Sequence, residues 1–222
     1  MLSQIHFAEL SSTQDKAFEL IEEGVNLPFL VTADSQTKGR GRMQRSWVSE
    51  PGRSLAATLA VSLNSSRMIG LSLVAGLAIR SSIKNKEIKI KWPNDLMLND
   101  QKIGGILIES RSQGAAAQVA IGFGLNLFDL QSQSFRGLQK KVEAVDLGEK
   151  ILEFVEGFKA SGFQPLREAY EKVLWKRGEM ISLQIDGELK LVKAVGVSDE
   201  GLLITETAGN LSMTDQGEII HV

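Results

Sequence analysis

The chain has 222 residues, 43% hydrophobic and 23% charged, with a formal net charge of −2. That length suits one sizeable domain plus a small appendage, and the near-neutral balance excludes a protein that grips polyanions over its whole surface. Cysteine is absent, which excludes disulfides, thiolate metal sites and thioester chemistry.

The opening stretch "MLSQIHFAEL" has no cationic start ahead of an apolar core, so it is no signal peptide. "ELSSTQDKAFELIEEG" reads as a helix capped by Ser11, Ser12 or Thr13, with Ala17, Phe18, Leu20 and Ile21 as its apolar face and Gly24 as its stop. "LPFLVTAD" is a short buried strand, followed by a basic glycine loop, and "SLAATLAVSL" is a strand. "SRMIGLSLVAGLAIRSSI" has helical spacing with Ser66 as its expected cap. Its apolar run is far shorter than the ~20 residues of a bilayer span, so a soluble, cytoplasmic protein with no membrane partner is expected.

"EIKIKWPNDLMLNDQKIGGILIES" holds two or three strands with a hairpin at Asn99 and Asp100, and Pro93 argues for a bulge or bend. "AAAQVAIGFGLNL" is another strand, and "FDLQSQSFRGLQKK" a polar loop. Two helices follow, around "LGEKILEFVEGFKA" and "FQPLREAYEKVLWKR". From Gly178 the tail becomes short strands separated by turn residues, a β-barrel of SH3-like size. The fold class is therefore α+β with a mixed or antiparallel sheet, divided into a domain over 1–176 and a small barrel over 177–222.

Two clusters carry chemistry. In "TKGRGRMQRSW", Lys38, Arg40, Arg42 and Arg45 alternate with Gly39 and Gly41. Arginine forks bind phosphate or carboxylate, and glycine lets backbone N–H groups approach an anion; for the loop alone, a mobile, solvated hairpin tip ranks ahead of that function. "KWPNDLMLNDQKIGG" adds Lys91, Asn94, Asp95 and Lys102, with Asp95 facing Gly104 and Gly105 across the hairpin. Bare strand backbone at those glycines suits a ligand lying flat against it. His6 and His221 sit near the two ends, so no metal site built by the protein is expected.

"GRGRMQRSW", "KWPNDLML", "QKIGGILIE" and "GFGLNL", in this order, resemble the biotin–protein ligases, and the similarity runs from "SSTQD" into the β-rich tail. A monofunctional member is expected, departing from the repressor-type relatives in having no N-terminal helix-turn-helix, and no DNA partner is expected. The resemblance implies a two-step reaction in which biotin and MgATP give biotinyl-5′-adenylate, and a lysine of a biotin carboxyl carrier domain then takes the biotin. A homodimer is left open.

By the same resemblance Lys102 holds the biotin carboxylate and the adenylate linkage, while Arg40 and Arg42, with Gly41, lie over the intermediate and its phosphates. Ser12, Thr13, Gln14 and Gln36 match the contacts to biotin's ureido ring, with Gln14 standing where many relatives have asparagine. Gly122, Gly124 and Asn126 match a family strand under the biotin pocket, though packing explains the glycines about as well; Gly105 is expected to contact the substrate and Asn126 the nucleotide. Asp95 or Asn94 would orient the attacking amine or a magnesium-bound phosphate, Lys91 would neutralise the triphosphate or steer the acceptor, and Trp47 would shield adenine or close the loop. The loop is expected to be disordered until anionic ligands recruit its arginines. The rival readings are a lipoate or octanoate ligase of the same fold and a non-catalytic nucleic-acid module.

Overall fold

The computed structural model describes residues 2–64, 68–113, 116–131 and 136–220; Ser66, His221 and residues 132–135 of the polar loop lie outside them. Strands β1 (Ser3–Leu10), β2 (Phe29–Gln36), β3 (Ser54–Asn64), β4 (Lys89–Lys91), β5 (Asp95–Leu98), β6 (Gln101–Gln113) and β7 (Ala116–Asn126) form one sheet in the order β1-β2-β3-β7-β6-β5-β4. The β1–β2 ladder is parallel, joined by α1 (Thr13–Glu22), and the remaining ladders are antiparallel. The α+β expectation holds.

Strand alternation divides the sheet into two faces. Leu55, Leu59 and Val61 of β3 and Val119, Ile121 and Phe123 of β7 join the main core, to which α2 (Leu71–Ile83) and α3 (Ala144–Ser161) contribute Leu73, Ile79, Leu147 and Ile151. The opposite face is covered by the Ala17, Phe18, Leu20 and Ile21 stripe of α1, packed on Phe29, Val31, Ala60 and Ala120. Beyond the end of α1 that face carries small residues, Ala56, Gly122 and Gly124, and is left open for a cavity.

A second, antiparallel sheet takes the order β11-β10-β9-β8-β12, from β8 (Met180–Ile185), β9 (Glu188–Val197), β10 (Leu203–Thr207), β11 (Asn210–Thr214) and β12 (Glu218–Ile220). It fits the SH3-like expectation. Its tight turns fall at Asp186-Gly187 and Ala208-Gly209, both with positive φ at each residue, the geometry of a two-residue hairpin loop.

Two readings need correction. "SQIHFAEL" is the edge strand β1, where no element was expected. The long helix expected over 163–177 is a 3-10 turn (Gln164–Leu166) and a five-residue α4 (Arg167–Glu171). The chain then leaves the helix so that Val173 and Trp175 can bond the two sides of Ile90, 2.8 and 2.9 Å, extending the sheet beyond β4. Satisfying the open edge of a buried strand outweighs local helix propensity here.

Candidate active site

A cavity of 270 Å³ opens on the small-residue face, near the lower end of the roughly 300–1,000 Å³ of small-molecule pockets. Ser12, the N-cap of α1, is 3.5 Å from the amide of Asp15. Thr13 donates from its backbone and hydroxyl to Gln36 Oε1 at 2.7 and 3.1 Å, and Thr58 lies 2.9 Å from the Thr13 hydroxyl and 3.0 Å from Gln14 Oε1. Gln14 is only 4% exposed, and its amide lies against β7: a Cβ at Gly122 would meet Gln14 Oε1 at 2.8 Å. A Cβ at Gly124 would meet the Trp47 ring at 2.4 Å. Each glycine is therefore a seat for one side chain of the cavity wall.

The β5–β6 hairpin supplies the second wall. Asn99 and Asp100 turn it with φ of 49° and 59°, and Asp95 pairs with Gly105 as expected. The register then slips between Leu96 and Met97, so that Met97 pairs with Lys102 and Ile103 is the extra residue. Without that bulge Lys102 would point to the face opposite Gly105; the bulge turns it onto the face of Asp95. Lys102 Nζ lies 2.7 Å from Asp95 Oδ1, and Lys91 Nζ lies 3.3 Å from Asp95 Oδ2. Asp95 is 5% exposed, whereas the Lys102 side chain is 40% exposed. A buried carboxylate thus aligns two ammonium groups, one of which faces the cavity.

The basic loop forms the lid. Gly41 N donates to Arg45 O at 2.7 Å and Trp47 N to Gly39 O at 2.9 Å. Arg40 places all five of its N–H donors on protein acceptors, the carboxylates of Asp15 and Glu109 and the hydroxyl of Ser12, and the Asp15 bond leads in raising its pKa further. Arg42 reaches Asn94 Oδ1 at 3.3 Å and Gly217 O at 3.4 Å. Arg45 pairs with Glu218, whose carboxyl is held below its ordinary pKa chiefly by that bond, against the opposing effect of burial. The loop's arginines are thus held by protein partners, while Met43 to Ser46 at its tip are exposed.

The sequence-predicted residues Ser12, Thr13, Gln14, Gln36, Arg40 and Gly41 line the cavity, as do Arg42, Trp47, Asn94, Asp95, Lys102, Gly105 and Asn126. Lys91 does not; it lies behind Asp95 and donates to Ile219 O at 3.1 Å. Trp47 Nε1 and Asn126 Oδ1 are buried without a hydrogen-bond partner among the described residues, so the cavity wall holds one unmet donor and one unmet acceptor. Trp92, by contrast, is a core residue whose indole donates to Gly201 O at 3.2 Å.

The sequence signature of the Biotin/lipoate A/B protein ligase family matches residues 7–126, the stretch that builds the cavity floor, lid and hairpin. This chain belongs to that family. Among its ligase relatives, the Bifunctional ligase/repressor BirA of Bacillus subtilis (strain 168) is 30% identical over 224 residues, covering 91% of this chain and 69% of that protein. The Biotin--[acetyl-CoA-carboxylase] ligase of Paracoccus denitrificans is 38% identical over 128 residues, 54% of this chain and 52% of that protein. The biotin protein ligase from Aquifex aeolicus in complex with biotin and ATP superposes with a TM-score of 0.83 at 25% identity, covering 99% of this chain and 98% of that one.

Within the ligase fold, sequence reasoning missed Glu109, Asp15, Thr58 and Glu218. Glu109 stands in the quoted "GGILIE" and Asp15 in "SSTQD", but their role depends on a partner about 69 or 25 residues away. Glu218 reaches the cavity from the second sheet, which no spacing rule anticipates.

Proposed function

We propose that this chain is a biotin–protein ligase, an ATP-dependent, AMP-forming enzyme. It condenses biotin with MgATP to biotinyl-5′-adenylate and pyrophosphate, then transfers the biotin to the ε-amine of a lysine on a biotin carboxyl carrier domain. The observation that carries this reading is one cavity holding a polar head-group nest at Thr13, Gln14 and Gln36, a carboxylate-seeking Lys102, and Arg42 on a lid.

Bringing a carboxylate to a phosphate requires fixed positive charge, because two anions repel. Asp95 keeps Lys102 oriented beside Gly105, where the bare strand leaves room: a Cβ there would sit 3.5 Å from Lys102 Nζ. In the second step the acceptor amine must shed a proton, and Asp95 is the nearest carboxylate to Lys102 to take or orient it. The unmet Trp47 Nε1 and Asn126 Oδ1 suit a heteroaromatic base with both donors and acceptors. Magnesium enters as part of the substrate, carried on phosphate oxygens, as is usual for this ion; among the described residues no group of three or more His, Asp or Glu could cage a metal. The division into 1–176 and 177–222 belongs to the same reading and is supported by β8 opening the second sheet at Met180.

The test is incubation with MgATP, a purified biotin carboxyl carrier domain and either biotin or lipoate, read by the mass of the acceptor. Biotin adds to one lysine and lipoate does not; the reverse would reassign the chain to lipoate or octanoate transfer, and no modification in either arm would defeat both. No helix of the described residues is long and apolar enough to cross a membrane, so an aqueous reaction mixture suits the assay.

A further inference from the structure

Glu109 touches neither the cavity nor the hairpin cations, yet its two oxygens meet both halves of the site. Oε2 accepts from Gln14 Nε2 at 3.0 Å and from Arg40 Nη2 at 2.9 Å, and Oε1 accepts from Arg40 Nε at 3.3 Å. Gln14 Nε2 also faces the carbonyls of Leu107 and Ala120 at 3.4 and 3.3 Å. With three acceptors on one side and the Thr58 hydroxyl 3.0 Å from Oε1 on the other, the amide can point only one way. A hydrogen-bonded chain therefore runs Asp15, Arg40, Glu109, Gln14 and Thr58, from lid to cavity floor, where the Thr58 oxygen lies 2.9 Å from the Thr13 hydroxyl.

We infer that Glu109 is a positioning residue that couples the biotin-head pocket to the lid, and that Arg40 is the clamp it holds rather than a phosphate ligand. The Arg40 guanidinium has no N–H left for an anion while Asp15, Glu109 and Ser12 are in place. Displacing it would strand the carboxylate of Glu109, 30% exposed, against the buried Gln14, which is costly for a charge-assisted bond. The anionic parts of the substrates are then left to Arg42 and Lys102. The inference deepens the ligase reading and rests on it for the identity of the ligand.

Glu109→Gln keeps the shape and removes the charge. Expected are a roughly tenfold rise in the KM for biotin, a kcat within about threefold of wild type, and faster tryptic cleavage after Arg42 or Arg45 in the ligand-free protein. Glu109→Asp should recover part of both effects, and Arg40→Lys, which loses the fork, should reproduce them. In a double-mutant cycle, Glu109→Gln and Arg40→Lys together should cost no more than the larger single change. Strictly additive effects, or a biotin KM and loop cleavage both unchanged in Glu109→Gln or in Arg40→Lys, would overturn the coupling. Should Glu109→Gln fail to fold, Arg40→Lys carries the test alone. A wild-type protein that does not bind biotin would defeat the ligase reading, and the cleavage comparison would then decide the clamp without it.

Discussion

Two glycines on the cavity floor make opposite predictions, because what each would touch differs. A Cβ at Gly124 would overlap the Trp47 ring at 2.4 Å, so Gly124→Ala must expel the indole from its seat. The expected result is a changed tryptophan emission and a several-fold rise in the KM for ATP. At Gly105 a Cβ would meet Lys102 and Asp95 only at ordinary distance, 3.5 to 3.6 Å. Gly105→Ala should therefore leave the melting temperature within a degree or so of wild type, yet lower turnover at least tenfold if substrate lies against this strand. Loss of stability at 105, with activity per folded molecule intact, would remove the strand from the substrate path. Lys102→Gln should reduce the rate of adenylate formation about 100-fold or more, the scale of losing one preorganised charge at an anionic reaction centre; a pyrophosphate-release assay reads it directly.

At the scale of elements, the lid adopts a costly conformation. Met43 and Gln44 both have positive φ, 54° and 59°, where a side chain costs roughly 1–2 kcal/mol per residue. Met43 is 77% exposed, so Met43→Gly removes strain at the cost of little more than the 3.5 Å contact between its sulfur and Arg45 Nη2. It should slow tryptic cleavage of the ligand-free loop; faster cleavage would mean that the gain in unfolded-chain entropy dominates. Elements whose signal is local were legible in the sequence: the Ala17–Ile21 stripe with its cap, the two long strands β3 and β7, and the Asn99-Asp100 turn all follow from spacing and turn chemistry. The helix expected at 163–177 was not, since residues 173–175 answer to Ile90 some 85 positions earlier. Strand β1 could have been found, because Ile5 and Phe7 alternate with exposed neighbours. Cavity residues within motifs were legible too, whereas Glu218 was not, because its place depends on how the two sheets meet.

Across the whole molecule, three cations of the first sheet and its lid grip consecutive residues of β12 and its approach: Arg42 the carbonyl of Gly217, Arg45 the carboxylate of Glu218, Lys91 the carbonyl of Ile219. The second sheet is thus a wall of the site, and its acid sensitivity follows in sign. The Glu218 carboxyl is lowered from its ordinary 4.5 by Arg45, so the stability it contributes is present above that value and is lost as pH falls through the depressed one. The difference in melting temperature between wild type and Glu218→Gln should be greatest at neutral pH, shrink as pH falls from 4.5, and vanish only below the depressed value; a difference that persists in stronger acid would show that the pair acts through packing.

The bulge at Ile103 has a consequence for how the enzyme should fail on heating. Lys102, Asp95 and Gly105 all belong to one short hairpin joined by adjacent hydrogen bonds, so this group stays assembled as long as the strands do. The arginines come from a segment tied down by side chains alone at its far end. Warming should accordingly silence the protein in two stages, first by slackening the cover while the ammonium–carboxylate couple survives, and only later by melting. Inactivation several degrees below the calorimetric transition, fully reversed on cooling, is the signature to look for.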